Sequence, residues 1–150
     1  MKILVATDGS PSSAAALADV AARPWPEGTE IEVLTVIHTA VPFILDPTYT
    51  IAFIHMDQLE KGRKQAPELV ESAAARIRRP GLTVTTQVLE GAPKHLIVEE
   101  AERFGADLIV LGTHGHGPAG RFLLGSVAHS VVLHAPCSVE VVRTRQNAAG

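Results

Sequence analysis

Hydrophobic positions in this chain gather in five short runs, each closed by a turn signal and separated from the next by a stretch of helical character. Ile3 to Thr7 is a continuous run stopped by Asp8-Gly9-Ser10, the pattern of a buried strand ending in a turn. Ser10-Pro11 then supplies a helix cap followed by proline at the first helical position. An Ala-rich helix runs from there to about Ala22, where Pro24 and Pro26 end it. Ile31 to Ile37 is the second strand. The connection from His38 to about Thr50 holds Pro42 and Pro47, is long for its class, and reads as a lid or a partner surface. A helical stretch from about Met56 to Arg79 contains Pro67, which predicts a kink or a split, and Pro80-Gly81 terminates it. Leu82 to Leu89 is the third strand. Gly91 turns the chain and Pro93 opens a helix ending near Phe104-Gly105. Leu108 to Leu111, the most continuously apolar run, is the fourth strand. A glycine-rich loop from Gly112 to Gly125 follows, then a short helix over about Ser126 to His134 and a fifth strand over Ser138 to Val142. The polar tail from Thr144 is expected to fray.

Strands alternating with helices predict an α/β fold: one domain over residues 1–150, with an open, five-stranded, Rossmann-like parallel sheet covered by helices on both faces. Ligands of such sheets bind beyond the strand C-termini, where the strand order reverses. Binding chemistry sits in two loops, after the first strand and after the fourth. For both to touch one ligand those strands must be neighbours, which gives the order 3-2-1-4-5.

Composition narrows the partners. With 46% hydrophobic but only 4% aromatic residues, the core is built from Val, Leu, Ile and Ala. A formal charge of −3 lacks the basic excess that neutralises nucleic-acid phosphates, so a small molecule or a protein fits better than DNA or RNA. The single cysteine, Cys137, precludes an intramolecular disulfide and suits a reducing compartment; it reads as a small buried filler. The opening apolar run is too short for a signal sequence and no stretch is long enough to span a bilayer, so the expectation is a cytoplasmic protein.

The loop Gly112-Thr113-His114-Gly115-His116-Gly117-Pro118-Ala119-Gly120-Arg121-Phe122-Leu123-Leu124-Gly125-Ser126 has the chemistry of a phosphate cradle. Glycines let the backbone approach an anion, and Gly125-Ser126 opens a helix whose free N–H groups and dipole favour negative charge. Arg121 adds a guanidinium, and the Thr113 and Ser126 hydroxyls can donate. Two familiar motifs fail on context. Gly115-x-Gly117-x-x-Gly120, with Glu140 downstream, matches the dinucleotide pattern, but the strand has already ended at Gly112 and Pro118 interrupts it. Gly120-x-x-x-x-Gly125-Ser126 looks like a Walker A loop without its lysine.

A third pattern fits without a gap: Gly112, two residues, Gly115, nine residues, Gly125-Ser126. It resembles the ATP-binding signature of the universal stress protein family. The opening Ile3 to Ser10, Gly91-Ala92-Pro93, Ala106 to Gly112, Leu124 to Ala128 and His134 to Val139 resemble that family's other blocks, so the likeness runs through nearly the whole chain and is weakest from His38 to Arg79. The resemblance implies the ATP-binding branch and a homodimer formed through the last strand (Ser138, Val139, Val141). It implies that Asp8, approached through Ala6 and Thr7, is the acidic nucleotide contact, and that Val36 meets the adenine through its backbone. Gly112 and Gly115 would approach ribose and phosphate, with Thr113, His114, Gly117 and Arg121 around them, and Gly125, Ser126 and Val127 would hold the phosphates. Mg²⁺ or Mn²⁺ would accompany the triphosphate. His116 stands where the family often has Arg or Lys, leaving Arg121 to balance the charge.

Simpler roles exist for several of these residues. Asp8 suits a turn, and Ser10 and Ser126 suit helix caps. His114 and His116 lack a third metal ligand at convincing spacing, and the Glu60-Lys61-Gly62-Arg63-Lys64 cluster reads as a solvated helix face. The functional expectation is an ATP-binding sensor or regulatory module in stress adaptation. Slow metal-dependent ATP hydrolysis and a nucleotide-independent adaptor are the alternatives. No catalytic residue stands out.

Overall fold

The computed structural model describes residues 1–39, 50–114 and 124–144, without the side chains of 50–54. Its elements follow in the order β1 (Lys2–Ala6), α1 (Pro11–Ala22), β2 (Thr29–His38), α2 (Thr50–Ile77), β3 (Leu82–Gly91), α3 (Pro93–Phe104), β4 (Leu108–Gly112), α4 (Ser126–His134) and β5 (Ser138–Val142). The five strands form one parallel sheet in the order β3-β2-β1-β4-β5. The expected order is therefore the observed one, and β1 and β4 lie side by side, with Ile3, Leu4 and Val5 in register with Leu108, Ile109 and Val110.

Continuous apolar runs are what a sheet covered on both faces requires, because alternate residues must all be buried. Ile3, Val5, Ile31, Val33 and Val110 pack under α1 and α2, against Leu17, Val20, Val70 and Ile77. Leu4, Leu34, Ile109 and Leu111 pack under α3 and α4, against Ile97, Ala101, Ala128 and Val131. Cys137 is half-buried against this second cluster, and burial, with Asp107 adding to it, pushes its thiol above the ordinary value.

The largest departures from expectation are in β2 and α2. β2 is longer at both ends because it pairs with β3 without interruption, from Thr29 opposite Leu82 to His38 opposite Gly91. α2 begins at Thr50 rather than near Met56; Thr50, Ile51, Phe53 and Ile54 are weak helix formers, so sequence alone places that end poorly. Pro67 does not split α2, which runs on to Ile77. The ring removes the hydrogen bond to the carbonyl of residue 63, but Ala66, Val70, Ala73, Ala74 and Ile77 are all buried at helical spacing, and their packing keeps the helix in one piece. The expected long connection after β2 falls at residues 40–49, outside the described residues, and so does the tail from 145. No helix among the described residues is long and apolar enough to cross a membrane.

Surface and half-buried ion pairs bind the elements together. Arg23, at the end of α1, pairs with Asp19 and with Glu140 of β5, reaching Glu140 Oε2 at 2.7 Å. Glu140 thereby has a structural partner. Arg79 donates from beyond α2 to the carbonyls of Ala21 and Arg23, groups left over at the end of α1. Within the Glu60–Lys64 face, Arg63 forks onto Glu90, with its Nε 2.6 Å from Oε1.

Candidate functional site

The turn after β1 and the end of β4 meet at the C-terminal edge of the sheet, joined by short hydroxyl side chains. Ser10 caps α1, its Oγ accepting from the Ser13 amide at 3.2 Å, which is the role its position suggests. Asp8 closes an Asx turn, its Oδ1 accepting from the Ser10 amide at 2.9 Å, while its residue stays exposed. Thr7 is buried; its Oγ1 lies 3.1 Å from Ser13 Oγ, and its carbonyl accepts from Thr35 Oγ1 at 2.6 Å. These bonds hold the turn in one shape.

From the other side, Ser12 Oγ lies 3.1 Å from Thr113 Oγ1 and accepts the His114 amide at 3.2 Å. Ser10 Oγ donates to the His114 carbonyl at 3.4 Å, and Thr113 Oγ1 sits 3.0 Å from His114 Nδ1. Two glycines allow this closeness. A Cβ on Gly112 would stand 2.5 Å from Ser12 Oγ, and one on Gly125 would stand 2.8 Å from the Thr113 carbonyl oxygen. The Gly125 amide donates to that same oxygen at 2.7 Å, so the start of α4 rests on the end of β4.

Gly125, not Ser126, is the N-cap of α4, and it has no side chain to satisfy the first turn. Ser126 is instead the exposed first helical residue and Val127 is half-buried. The amides of Ser126, Val127 and Ala128 have no hydrogen-bond partner among the described residues, while the Gly125 carbonyl accepts from His129. A helix start of this kind suits an anion.

At Val36, β2 runs on past the end of β1. β1 ends at Ala6, paired with Leu34, and the Thr7 amide makes the last bond to β2, at Leu34 O. β2 continues to His38, paired on its far side with β3. Alternation along the strand turns the N–H and C=O of Val36 the same way as those of Leu34, into the space beyond the end of β1.

The structure therefore brings together Ala6, Thr7, Asp8, Val36, Gly112, Thr113, His114, Gly125, Ser126 and Val127 along one edge of the sheet. Gly115, His116, Gly117 and Arg121 lie outside the described residues. Ser12, Ser13 and Thr35 escaped sequence reasoning as members of this framework. The only signal for them was a pair of serines in the first turn of a helix, a common and ambiguous pattern. An open hollow of about 130 Å³ lies beside the same turn, between α1 and α2, lined by Thr7, Gly9, Ser13, Leu69 and Arg76 among others. It is well below the roughly 300–1,000 Å³ of ordinary ligand pockets. No group of three His, Cys, Asp or Glu side chains that could hold a metal occurs among the described residues.

The sheet order and the joined loops at the β1–β4 switch point define a doubly wound α/β protein, a class whose ligands bind at the strand ends. The sequence profile of the universal stress protein family matches residues 1–143, and the chain belongs to that family. A putative universal stress protein of Staphylococcus haemolyticus is 35% identical, covering 96% of this chain and 85% of the relative. Among solved structures, hypothetical protein MJ0577 superposes with a TM-score of 0.80 at 28% identity, covering 98% of this chain and 97% of that one. A universal stress protein in complex with cAMP superposes at 0.66, also at 28% identity, covering 97% and 98%.

Proposed function

We propose that this chain binds a nucleotide, ATP by preference, along the edge from Val36 through Asp8 to Ser126, and works as a nucleotide-dependent sensor or regulatory module in stress adaptation. One observation carries the reading. Two segments far apart in sequence are joined by Ser12 and Thr113 into one surface whose main-chain groups at both ends, at Val36 and at the first turn of α4, have no partner among the described residues. The Val36 N–H and C=O suit the hydrogen-bonding edge of a purine. The amides of Ser126, Val127 and Ala128, with the Ser126 hydroxyl, suit phosphate oxygens. Gly112, packed against Ser12, brings the end of β4 between them, where the ribose would lie, with Thr113 and His114 beside it. By their place in the glycine-rich sequence, Gly115, Gly117 and Arg121 are assigned to the phosphate side in this reading.

The donor set bears on the metal. No described cluster could hold a divalent ion by itself, so Mg²⁺ or Mn²⁺ would arrive with the triphosphate and meet the protein through the exposed Asp8 carboxylate. The ion would neutralise phosphate charge there; Asp8, fixed by its bond to the Ser10 amide, would orient it. The same reading includes a homodimer: β5 is an edge strand, so Ser138, Val139 and Val141 offer a backbone edge to a second copy.

The test is to denature the purified protein, identify any released nucleotide by mass spectrometry, and titrate the stripped protein calorimetrically with ATP, ADP, AMP and cAMP. Recovered ATP, or ATP binding near −8 kcal/mol at roughly micromolar affinity, supports the reading. The cAMP complex of a related protein makes the cyclic nucleotide the informative competitor. A protein that binds none of the four removes the nucleotide reading.

A further inference from the structure

Glu32 lies within β2 on the face that carries Leu4 and Leu34 toward α3, and only 5% of it is exposed. Glu100 of α3 lies against it and is 4% exposed. Arg103, three residues further along the helix, is committed to Glu100: its Nε lies 3.0 and 2.9 Å from the two carboxylate oxygens, and its Nη2 also contacts Oε1. The same Nη2 reaches Glu32 Oε2 only at 3.4 Å. Glu32 Oε1 is buried and has no hydrogen-bond partner among the described residues.

The charged groups facing Glu32 are few. α3 contributes Glu100 and Arg103. β1 contributes Lys2, whose ammonium is engaged by the Phe104 carbonyl at 3.2 Å and by Glu30 at 3.6 Å. β2 contributes Glu30 itself, two residues away on the same face, and β3 places only the Thr85 hydroxyl in register. α2 covers the opposite face of the sheet. Two buried carboxylates thus share one guanidinium already spent on one of them. A second uncompensated charge in such a place is costly, and a carboxyl group escapes the cost by taking a proton.

We propose that Glu32 and Glu100 share a single proton in the native fold, carried on Glu32 and donated to Glu100, so that the docking of α3 on the sheet is controlled by pH. The proton exchanges with water: it is taken up as pH falls and leaves Glu32 as a second carboxylate as pH rises. Burial first, and the Glu100 carboxyl beside it second, push Glu32 up to about 7. The bonds from Arg103 hold Glu100 below the ordinary carboxylate value. The contribution of Glu32 to stability is full below its unfolded value of 4.5 and is lost as pH rises through about 7. That of Glu100 has the opposite sign, being present above its unfolded value and lost as pH falls through its lowered one. The fold is most stable in the mildly acid window between them.

The experiment is a side-chain ¹³C NMR titration of the full chain, paired with denaturant unfolding of wild type and Glu32→Gln at about pH 5 and about pH 8.5. Gln keeps the shape and donates to Glu100 at every pH. The expected result is a Glu32 midpoint near neutrality. The wild-type folding constant should also fall, relative to Glu32→Gln, on the order of 50-fold between the two pH values, with faster hydrogen exchange in α3 at the higher pH. Should Glu32→Gln fail to fold, Glu100→Gln serves in its place: removing the second carboxylate should move the Glu32 midpoint down. A Glu32 midpoint in the ordinary carboxylate range, parallel pH profiles for wild type and Glu32→Gln, or an unmoved midpoint in Glu100→Gln would each overturn the proposal.

Discussion

Gly112 and Ser12 touch so closely that a Cβ on residue 112 would stand 2.5 Å from both the Oγ and the carbonyl carbon of Ser12. The first turn of α1 reaches the end of β4 only because that side chain is missing. Gly112→Ala should therefore destabilise the protein by about 1–3 kcal/mol, the usual cost of forcing atoms into filled space. Thermal or urea unfolding measures it, and wild-type stability in the variant would mean the two elements can part without loss.

Gly125 poses a different question, because its missing Cβ faces the Thr113 carbonyl at 2.8 Å beside the first amides of α4, which have no partner among the described residues. If phosphate sits there, Gly125→Ala should weaken ATP binding about tenfold or more, or roughly 1.4 kcal/mol, by tilting the helix start. Calorimetric titration reads the affinity and a melting curve checks the fold. Unchanged affinity would move the phosphate elsewhere.

The bond between Ser12 and Thr113 is buried and links positions 101 residues apart. Ser12→Ala and Thr113→Val should each cost about 1–2 kcal/mol, since each removes one of the two bonds made by the buried hydroxyl that remains. The double variant should cost less than the sum, by about 0.5 kcal/mol or more. Strict additivity in urea unfolding would show that the hydroxyls do not act as a pair.

Arg23 holds the Glu140 carboxyl below its ordinary value. A lowered acid stabilises the fold above its unfolded value, and the effect is lost as pH falls through the folded one. Arg23→Ala should cost about 1 kcal/mol at neutral pH, modest because both side chains are about one-third exposed. The gap from wild type should narrow as pH drops below about 4. A gap independent of pH would assign the loss to packing on Trp25 instead.

Pro67 occupies an exposed position inside α2. Pro67→Ala restores a backbone donor toward residue 63 and should stabilise the protein by about 1–2 kcal/mol, less than the full helix-interior penalty because the unfolded chain also gains freedom. Equilibrium unfolding settles the sign.

How much of this was readable from sequence varied with the kind of interaction. Turn chemistry and unbroken apolar runs placed β4, β5, α1, α3 and α4 to within about a residue, and the need for two loops to share one ligand gave the strand order. The split that Pro67 allows for did not occur because local propensity competes with tertiary burial, and here the buried Ala66 and Val70 on either side of it prevail. The close approaches at Gly112 and Gly125 and the start of α4 were legible because glycine and helix-start chemistry leave marks in sequence. The framework of Ser12, Ser13 and Thr35 was not, since serine and threonine are ordinary surface residues until a second element closes over them. Glu32 was invisible for a related reason: a carboxylate in a strand reads as solvent-facing, and nothing local announces that Glu100 and Arg103 will cover it.

The overreach of β2 past the end of β1 has a consequence for how this protein can change over time. If the overhang is the recognition edge proposed above, a contact made through the N–H and C=O of residue 36 would be indifferent to the side chain standing there. Val36 can drift among strand-forming residues while the donor and acceptor it offers stay fixed. On that reading, substitutions at position 36 would register only the packing on the α3 face, and specificity there would be inherited from the length of a strand rather than from the identity of a residue.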